Sequence, residues 1–300
     1  MAHPHVVTIV LNTNRRRDTL ECLASLERDA CPNCTVIVLD NASTDGSVEA
    51  IRSEFPAVQI IPLVENRGYA GNNNVGIEAG LAQGADWVFV LNEDTVLAPD
   101  CLSRLVEAGE GDPRVGIVGP MVYHHNEPQV IQSAGGKLSS QWVATHVGQN
   151  EVDQGQYSTP RRVDWISGCG ILVRRAVIEQ IGMLDERFYY YWEETEWCIR
   201  ARKNGWDIVH VPSAKLWHKG VQRDYHPTPS VTYYDTRNRL LALAKHQAPL
   251  RIWICTWWQT AKTLASWTIR PMWRSKRAHR DAMWRGIKDF LAQSWGPMST

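Results

Sequence analysis

The chain lacks most of the devices that tie a sequence to one chemistry. It has neither a GxGxxG turn nor a GxxxxGK[ST] loop, which argues against a nicotinamide dehydrogenase and a P-loop nucleotidase. Its seven cysteines are odd in number and follow no repeated spacing, so they imply no disulfide framework. Cys31 and Cys34 form one CxxC, but no second pair or nearby histidine completes a zinc site; reduced thiols are the expectation. Val6–Leu11 is too short for a signal sequence and lacks the basic flank and cleavage site, so a cytoplasmic protein is expected. Net charge is zero, and no basic surplus over the whole chain points to nucleic acid.

What is present is a globular composition, 300 residues with 44% hydrophobic content, enough for a sizeable core. The zero net charge conceals an asymmetry. From Arg237 onward there are twelve Lys and Arg against two Asp, a net of +10, and the preceding residues carry −10. That tail also holds seven of the fourteen tryptophans, a composition suited to an anionic surface. Two regions are therefore expected, a body over 1–229 and a helical, basic, Trp-rich extension over 230–300.

In the body, short β-branched runs (Val6–Leu11, Thr35–Leu39, Val58–Leu63, Trp87–Leu91, Val115–Val118) alternate with helical patterns at Asp18–Arg28, Ser47–Phe55, Asn74–Gln83 and Pro99–Ala108. This rhythm predicts βαβ units and a mainly parallel α/β sheet. Residues 119–163 lose the alternation and suggest loops and hairpins over an edge. A further strand at Trp206–Val211 and helices at Thr195–Lys203 and Ser230–Lys245 follow.

Ligands of such sheets bind beyond the strands' carboxyl ends, and here four of those ends are polar. Asn12-Thr13-Asn14 follows the first strand. Asp40-Asn41 follows the second, with Asp40 free to accept the imide N–H of uracil or thymine, although turns favour such residues without any ligand. Asn66–Gly76 reads as a glycine-rich turn leading into a helix, able to meet phosphate oxygens. Asn92-Glu93-Asp94 ends an apolar strand in hard oxygen ligands suited to Mg²⁺ or Mn²⁺; the plainer reading is a solvated strand end. Farther on, Glu193, Glu194 and Glu196 follow the aromatic run Tyr189–Trp192, offering a general base beside a sugar-stacking wall, though helix first turns favour acids anyway. His218 follows the strand expected at Trp206–Val211.

In this order and spacing the segments resemble the family 2 glycosyltransferases, especially the rhamnosyltransferase-like branch, over about Val6–Leu241. The matching stretches include Val10–Asn14, Asp40–Ser47, Asn66–Gly76, Leu91–Thr95, Ser167–Arg175, Gly182–Trp206, His218 and Tyr233–Leu240. The resemblance implies the GT-A fold, a nucleotide-diphospho-sugar transferase architecture around a central sheet. It puts Thr13 and Asp40 at the nucleotide base and Asn73 near the diphosphate, with Asn41, Arg67 and Gly71 also binding the donor. Asn92, Glu93 and Asp94 stand at the family's DxD motif, with Asp94 and His218 at the metal. Glu193-Glu194 stand at its Glu-Asp pair, with Glu194 as catalytic base and Glu193 able to share the role. Asn92 replaces the motif's first Asp, Asn72 a more usual Gly, and Glu194 the usual Asp.

The implied reaction is an inverting transfer from a dTDP- or UDP-sugar, L-rhamnose by branch likeness, to a hydroxyl on a glycan or lipid-linked glycan. The alternative is a nucleotide-sugar-binding protein of the same fold without turnover, whose signature would be loss of Asp94 and the Glu194 region. A pyrophosphorylase would need glycine after the first strand, and Asn12–Arg17 has none. In the tail, Leu250, Ile254, Trp257, Trp258, Ala261, Leu264 and Ala265 recur at helical spacing. They predict either a helix in the membrane interface, on the cytoplasmic face, or a helical flap packed on protein.

Overall fold

The computed structural model describes residues 3–298. Its first half runs β1 (Val6–Asn12), α1 (Arg16–Glu27), β2 (Cys34–Asp40), α2 (Ser47–Glu54), β3 (Gln59–Pro62), α3 (Gly68–Ala82), β4 (Trp87–Asn92), β5 (Thr95–Leu97), α4 (Cys101–Glu110) and β6 (Val115–His124). Then come β7 (Ile131–Ser133), β8 (Gly136–Leu138), β9 (Ala144–His146), β10 (Arg161–Arg162), β11 (Gly170–Arg174), α5 (Arg175–Ile181), α6 (Glu193–Lys203) and β12 (Asp207–His218). Helices α7 (Pro229–Lys245), α8 (Leu250–Ile269) and α9 (Arg277–Leu291) complete it.

The main sheet has the order β3-β2-β1-β4-β11-β6-β12-β10. Strands β1 to β4 pair in parallel where they touch, and β12 is parallel to β6. Strand β11 runs against both its neighbours and the short edge strand β10 runs against β12, so the sheet is mainly parallel with β11 reversed near its middle and β10 at its edge. Because side chains alternate along a strand, the central strands bury both faces. Val6, Val10, Phe89 and Leu91 pack with α1, α2 and α4, while Val7, Ile9, Val88 and Val90 pack with α3, α5 and α6.

Three local expectations are corrected. Asn66–Gly76 is not an extended turn, since α3 starts at Gly68. A Cβ on Gly76 would lie 2.5 Å from the Ile9 side chain, so that glycine lets the helix press onto the sheet. Strand β12 does not stop at Val211 but passes an irregularity and reaches His218. Cys31 and Cys34 are not separate thiols; they form a disulfide across a Cα separation of 6.1 Å, inside the span such a bond requires.

Helix α7 packs on α9 and on the 3-10 turn Glu186–Phe188. Glu196 of α6, fully buried, meets Arg200 at 2.9 Å, Lys245 at 2.9 Å and His246 at 3.0 Å. The apolar row expected on α8 divides: Leu264 is buried and Trp257 half-buried, whereas Leu250, Ile254, Trp258, Ala261 and Ala265 are exposed. Among the described residues no helix is long and apolar enough to cross a membrane.

Candidate active site

Parallel pairing aligns the carboxyl ends of the strands, with Asn12 beside Asp40 and Leu11 beside Asn92. Reversed β11 begins at this same edge, so the Ser167–Cys169 turn before it joins them. A cavity of about 490 Å³ opens there. It brings together Thr13, Asn41, Asn92, Glu93, Asp94, Glu193, Glu194 and His218, residues that lie as far apart in the chain as positions 13 and 218.

Asp94 and His218 meet because β5 turns back antiparallel on β12, setting Thr95 beside His218. Gly220 is needed for the approach, since a Cβ there would stand 2.5 Å from Asp94 Oδ2. His218 Nδ1 lies 3.1 Å from the Gln132 side-chain oxygen. An amide oxygen only accepts, so Nδ1 carries a hydrogen and the other ring nitrogen, Nε2, is turned toward Asp94. Nε2 is 3.1 Å from Asp94 Oδ1, yet that buried oxygen has no hydrogen-bond partner among the described residues. An imidazole nitrogen and a carboxylate oxygen at this distance are a ligand pair that suits a cation held by both. Burial alone would raise the Asp94 carboxyl, but His218 and Arg15 outweigh it and hold it below the ordinary carboxylate value. Burial, then the Asp94 charge, pushes Glu93 up to about 7. Among the described residues no group of three or more His, Cys, Asp or Glu side chains forms a complete metal site, so an ion here would need ligands from a bound molecule.

Glu193 and Glu194 open α6, and the Oε2 atoms of both are buried without hydrogen-bond partners among the described residues. Burial pushes Glu194 up to about 7; burial and then the Glu194 charge drive Glu193 well above its ordinary value. This pair is the kind of desolvated carboxyl that can exchange a proton near neutral pH. The backbone before it is strained, with Tyr189, Tyr191 and Trp192 at φ of 62°, 68° and 76°. Left-handed backbone at bulky residues persists only where the surroundings enforce it.

Here the enforcing groups come from α7. The Asn238 amide nitrogen lies 2.7, 2.8 and 2.7 Å from the carbonyls of Phe188, Tyr190 and Tyr191. The guanidinium of Arg237, fully buried, donates to Phe188 at 3.0 Å and to Gly296 at 2.7 Å. Gly68 leaves room for the loop, because a Cβ there would meet the Tyr189 carbonyl at 2.4 Å.

Four other residues expected at the site do not reach the cavity wall. Asp40 is buried, accepts from Asn12 Nδ2 at 2.9 Å and from the Ser43 amide at 3.2 Å, and so shapes the turn after β2. Arg67 points to Glu186 at 2.6 Å. Gly71 abuts Arg67, and Asn73 is buried with its amide on the Tyr69 carbonyl at 2.9 Å. Their neighbours Gly68, Tyr69 and Asn72 line the cavity instead, one helical face displaced from the expected one.

Arg15, Gln132, His146, Arg237 and Asn238 carry no signal in the sequence that gives them a role. Arg15 reaches Glu93 at 3.5 Å and Asp94 at 3.6 Å. His146 lines the cavity, and burial lowers its ring to about 4. The Tyr233–Leu240 stretch was recognisable as a motif, but nothing local to it names the carbonyls that it binds.

The chain's residues 6–182 match Glycosyl transferase family 2. It is 29% identical over 272 residues to an N-acetylglucosaminyl-diphospho-decaprenol L-rhamnosyltransferase of Mycobacterium tuberculosis, covering 83% of each chain. It is 24% identical over 255 residues to the dTDP-rhamnosyl transferase RfbF of Shigella flexneri, covering 82% of each. Among solved structures, a Pyrobaculum calidifontis mannosyltransferase in complex with GDP-Man and Mn²⁺ superposes with a TM-score of 0.60 at 16% identity, over 98% of this chain and 88% of that one. That likeness carries the GT-A-type fold. With the family match spanning more than half of the chain, the protein belongs to glycosyl transferase family 2 and is a glycosyltransferase of its rhamnosyltransferase-like branch.

Proposed function

We propose that this enzyme transfers L-rhamnose from dTDP-rhamnose, with inversion, to a hydroxyl of an N-acetylglucosaminyl-diphospho-lipid. The observation that carries the reading is the convergence in one cavity of the Asp94–His218 pair with the desolvated Glu193–Glu194 pair. The names of the two rhamnosyltransferase relatives support the choice of sugar and acceptor.

Thr13 and Asn41, joined by a 3.3 Å hydrogen bond, flank the nucleotide base, with buried Asp40 holding their turn in shape. Asp94 and His218 would hold Mg²⁺ or Mn²⁺, whose chemistry is to neutralise the diphosphate as it leaves. Arg15, beside the same carboxylates, adds a positive charge toward that leaving group. The acceptor oxygen forms its bond to the anomeric carbon as the carbon–phosphate oxygen bond breaks, and the diphosphate departs with the electron pair. Glu194 takes the acceptor's proton; bond formation acidifies the hydroxyl, so a base titrating near neutrality is adequate. Glu193, kept protonated by its surroundings, leaves a single negative charge in the pair.

In this reading the body over 1–229 is catalytic, and the extension over 230–300 both braces it and lies against an anionic bilayer. Exposed Leu250, Ile254, Trp258, Ile269 and Met272 support that contact, alongside Arg251, Lys262, Arg270 and Arg274; a Trp-rich amphipathic helix beside cations suits the membrane interface. The deciding experiment is nucleotide release from a panel of dTDP- and UDP-sugars, with and without Mn²⁺ and chelator, using a short-chain N-acetylglucosaminyl-diphospho-lipid as acceptor. Release from dTDP-rhamnose that is no greater than from the other donors would overturn the sugar assignment.

A further inference from the structure

The cavity wall formed by β7 and β9 has no part in the scheme above. His146, the last residue of β9, opens onto the cavity. Its ring rests against Trp165 at a centroid distance of 4.7 Å. The indole in turn occupies space that only glycine leaves at position 136, where a Cβ would lie 2.0 Å from Trp165 Cε2. The imidazole is therefore set on a rigid support. Its Nδ1 is 2.9 Å from the Ser133 hydroxyl. That hydroxyl has one hydrogen and directs it to the Gly135 carbonyl at 3.2 Å, so Ser133 accepts from Nδ1–H. Nε2 is left with a lone pair, and no partner in the protein takes it among the described residues. The adjacent strand residue, Gln132, fixes His218 in the same way, so β7 sets the ring orientation of two cavity histidines.

The support places this wall beside the base. Trp165 stands two residues before the Ser167–Cys169 turn, and a Cβ on Gly168 of that turn would lie 3.7 Å from Glu194 Cγ. In the reading above Glu194 takes the proton of the acceptor hydroxyl, so the acceptor sugar is the substrate that this wall adjoins.

We propose that His146 is an acceptor-specificity residue whose Nε2 receives a hydrogen bond from a non-reacting hydroxyl of the acceptor sugar. The inference rests on the inverting reading of the site. It is tested with dTDP-rhamnose and the short-chain N-acetylglucosaminyl-diphospho-lipid, comparing the wild type with His146→Ala and His146→Gln. His146→Ala should lower kcat/KM for the acceptor about tenfold, the scale of one buried hydrogen bond, while donor KM and acceptor-free hydrolysis of dTDP-rhamnose stay unchanged. Those last two readouts would move if the substitution merely disturbed the fold. His146→Gln, which retains an accepting oxygen on a long side chain, should recover part of the loss. Among acceptors lacking one hydroxyl each, one should cost the wild type about the same factor and cost His146→Ala nothing more. Equal acceptor kcat/KM in all three proteins would overturn the assignment while leaving the proposed function standing. A changed donor KM would move His146 to the donor sugar and overturn it equally. No transfer by the wild type would sink the function reading and this one with it.

Discussion

Glutamine at position 194 separates two consequences of one buried carboxyl. In the folded chain burial lifts Glu194 from 4.5 to about 7, so the native state holds its proton more tightly than the unfolded chain does. A general base must be ionised, and with half-ionisation near 7 it is about one-tenth ionised at pH 6 and about nine-tenths at pH 8. Turnover at saturating substrates should thus rise about tenfold across that interval. Glu194→Gln should flatten the rise and lower turnover about a hundredfold or more, with donor binding by calorimetry nearly unchanged. Stability moves the opposite way. A raised pKa contributes stability below the unfolded value of 4.5 that is lost as pH climbs through the folded value, on the order of 3 kcal/mol for a shift of this size. The neutral amide escapes that loss. Thermal melts should therefore find Glu194→Gln at least as stable as wild type at pH 8, with no such advantage near pH 4. A wild-type profile flat between pH 6 and 8, or a variant that keeps its turnover, would refute the assignment and turn attention to Glu193.

Asp94→Ala should weaken binding of Mn²⁺ and dTDP together, measured by titration calorimetry, because the orphaned oxygen beside His218 is lost; full wild-type activity in excess chelator would contradict the metal reading. Asn238→Ala strips the tyrosine-loop carbonyls of their donor at about 1–3 kcal/mol for each buried group left unpaired, so melting temperature and turnover should fall together. An unaltered turnover would show that the loop holds its shape without α7. Ile254→Asp combined with Trp258→Asp alters only exposed side chains and should abolish co-sedimentation with phosphatidylglycerol vesicles at low salt. Equal pelleting of variant and wild type, or none by either, would leave α8 without a bilayer role.

Much of the sheet could be read from the chain because buried runs such as Val6–Leu11 and Trp87–Leu91 end abruptly in Asn, Asp or Glu, and parallel pairing then aligns those ends. The Glu193–Glu194 pair was legible for the same reason, as acids placed directly after an aromatic run. Asp40 was harder. From sequence it is a spare carboxylate, and only the fold reveals Asn12 on one of its oxygens. The resemblance places Asn73 near the diphosphate; in the helix that this segment forms, a change of one residue rotates a side chain by about 100°, and Asn72 faces the cavity instead. Arg237, Asn238 and His146 bind partners distant in sequence or receive their setting from a neighbouring strand, so no local spacing discloses them.

The reversed direction of β11 divides the labour of the chain. Up to Asp94 the polypeptide builds the proposed nucleotide side in one uninterrupted passage. It then leaves for β6 and the hairpins over 131–163, and β11 brings it back into the middle of the sheet with its first residue, rather than its last, at the mouth of the cavity. The excursion is tethered at both ends by central strands, while its hairpins stand outside the stretch that forms the nucleotide side. Length and sequence there can change without shifting the register of β1, β2 or β4. A fold wired in this way can exchange the molecules that it glycosylates while keeping its activated sugar.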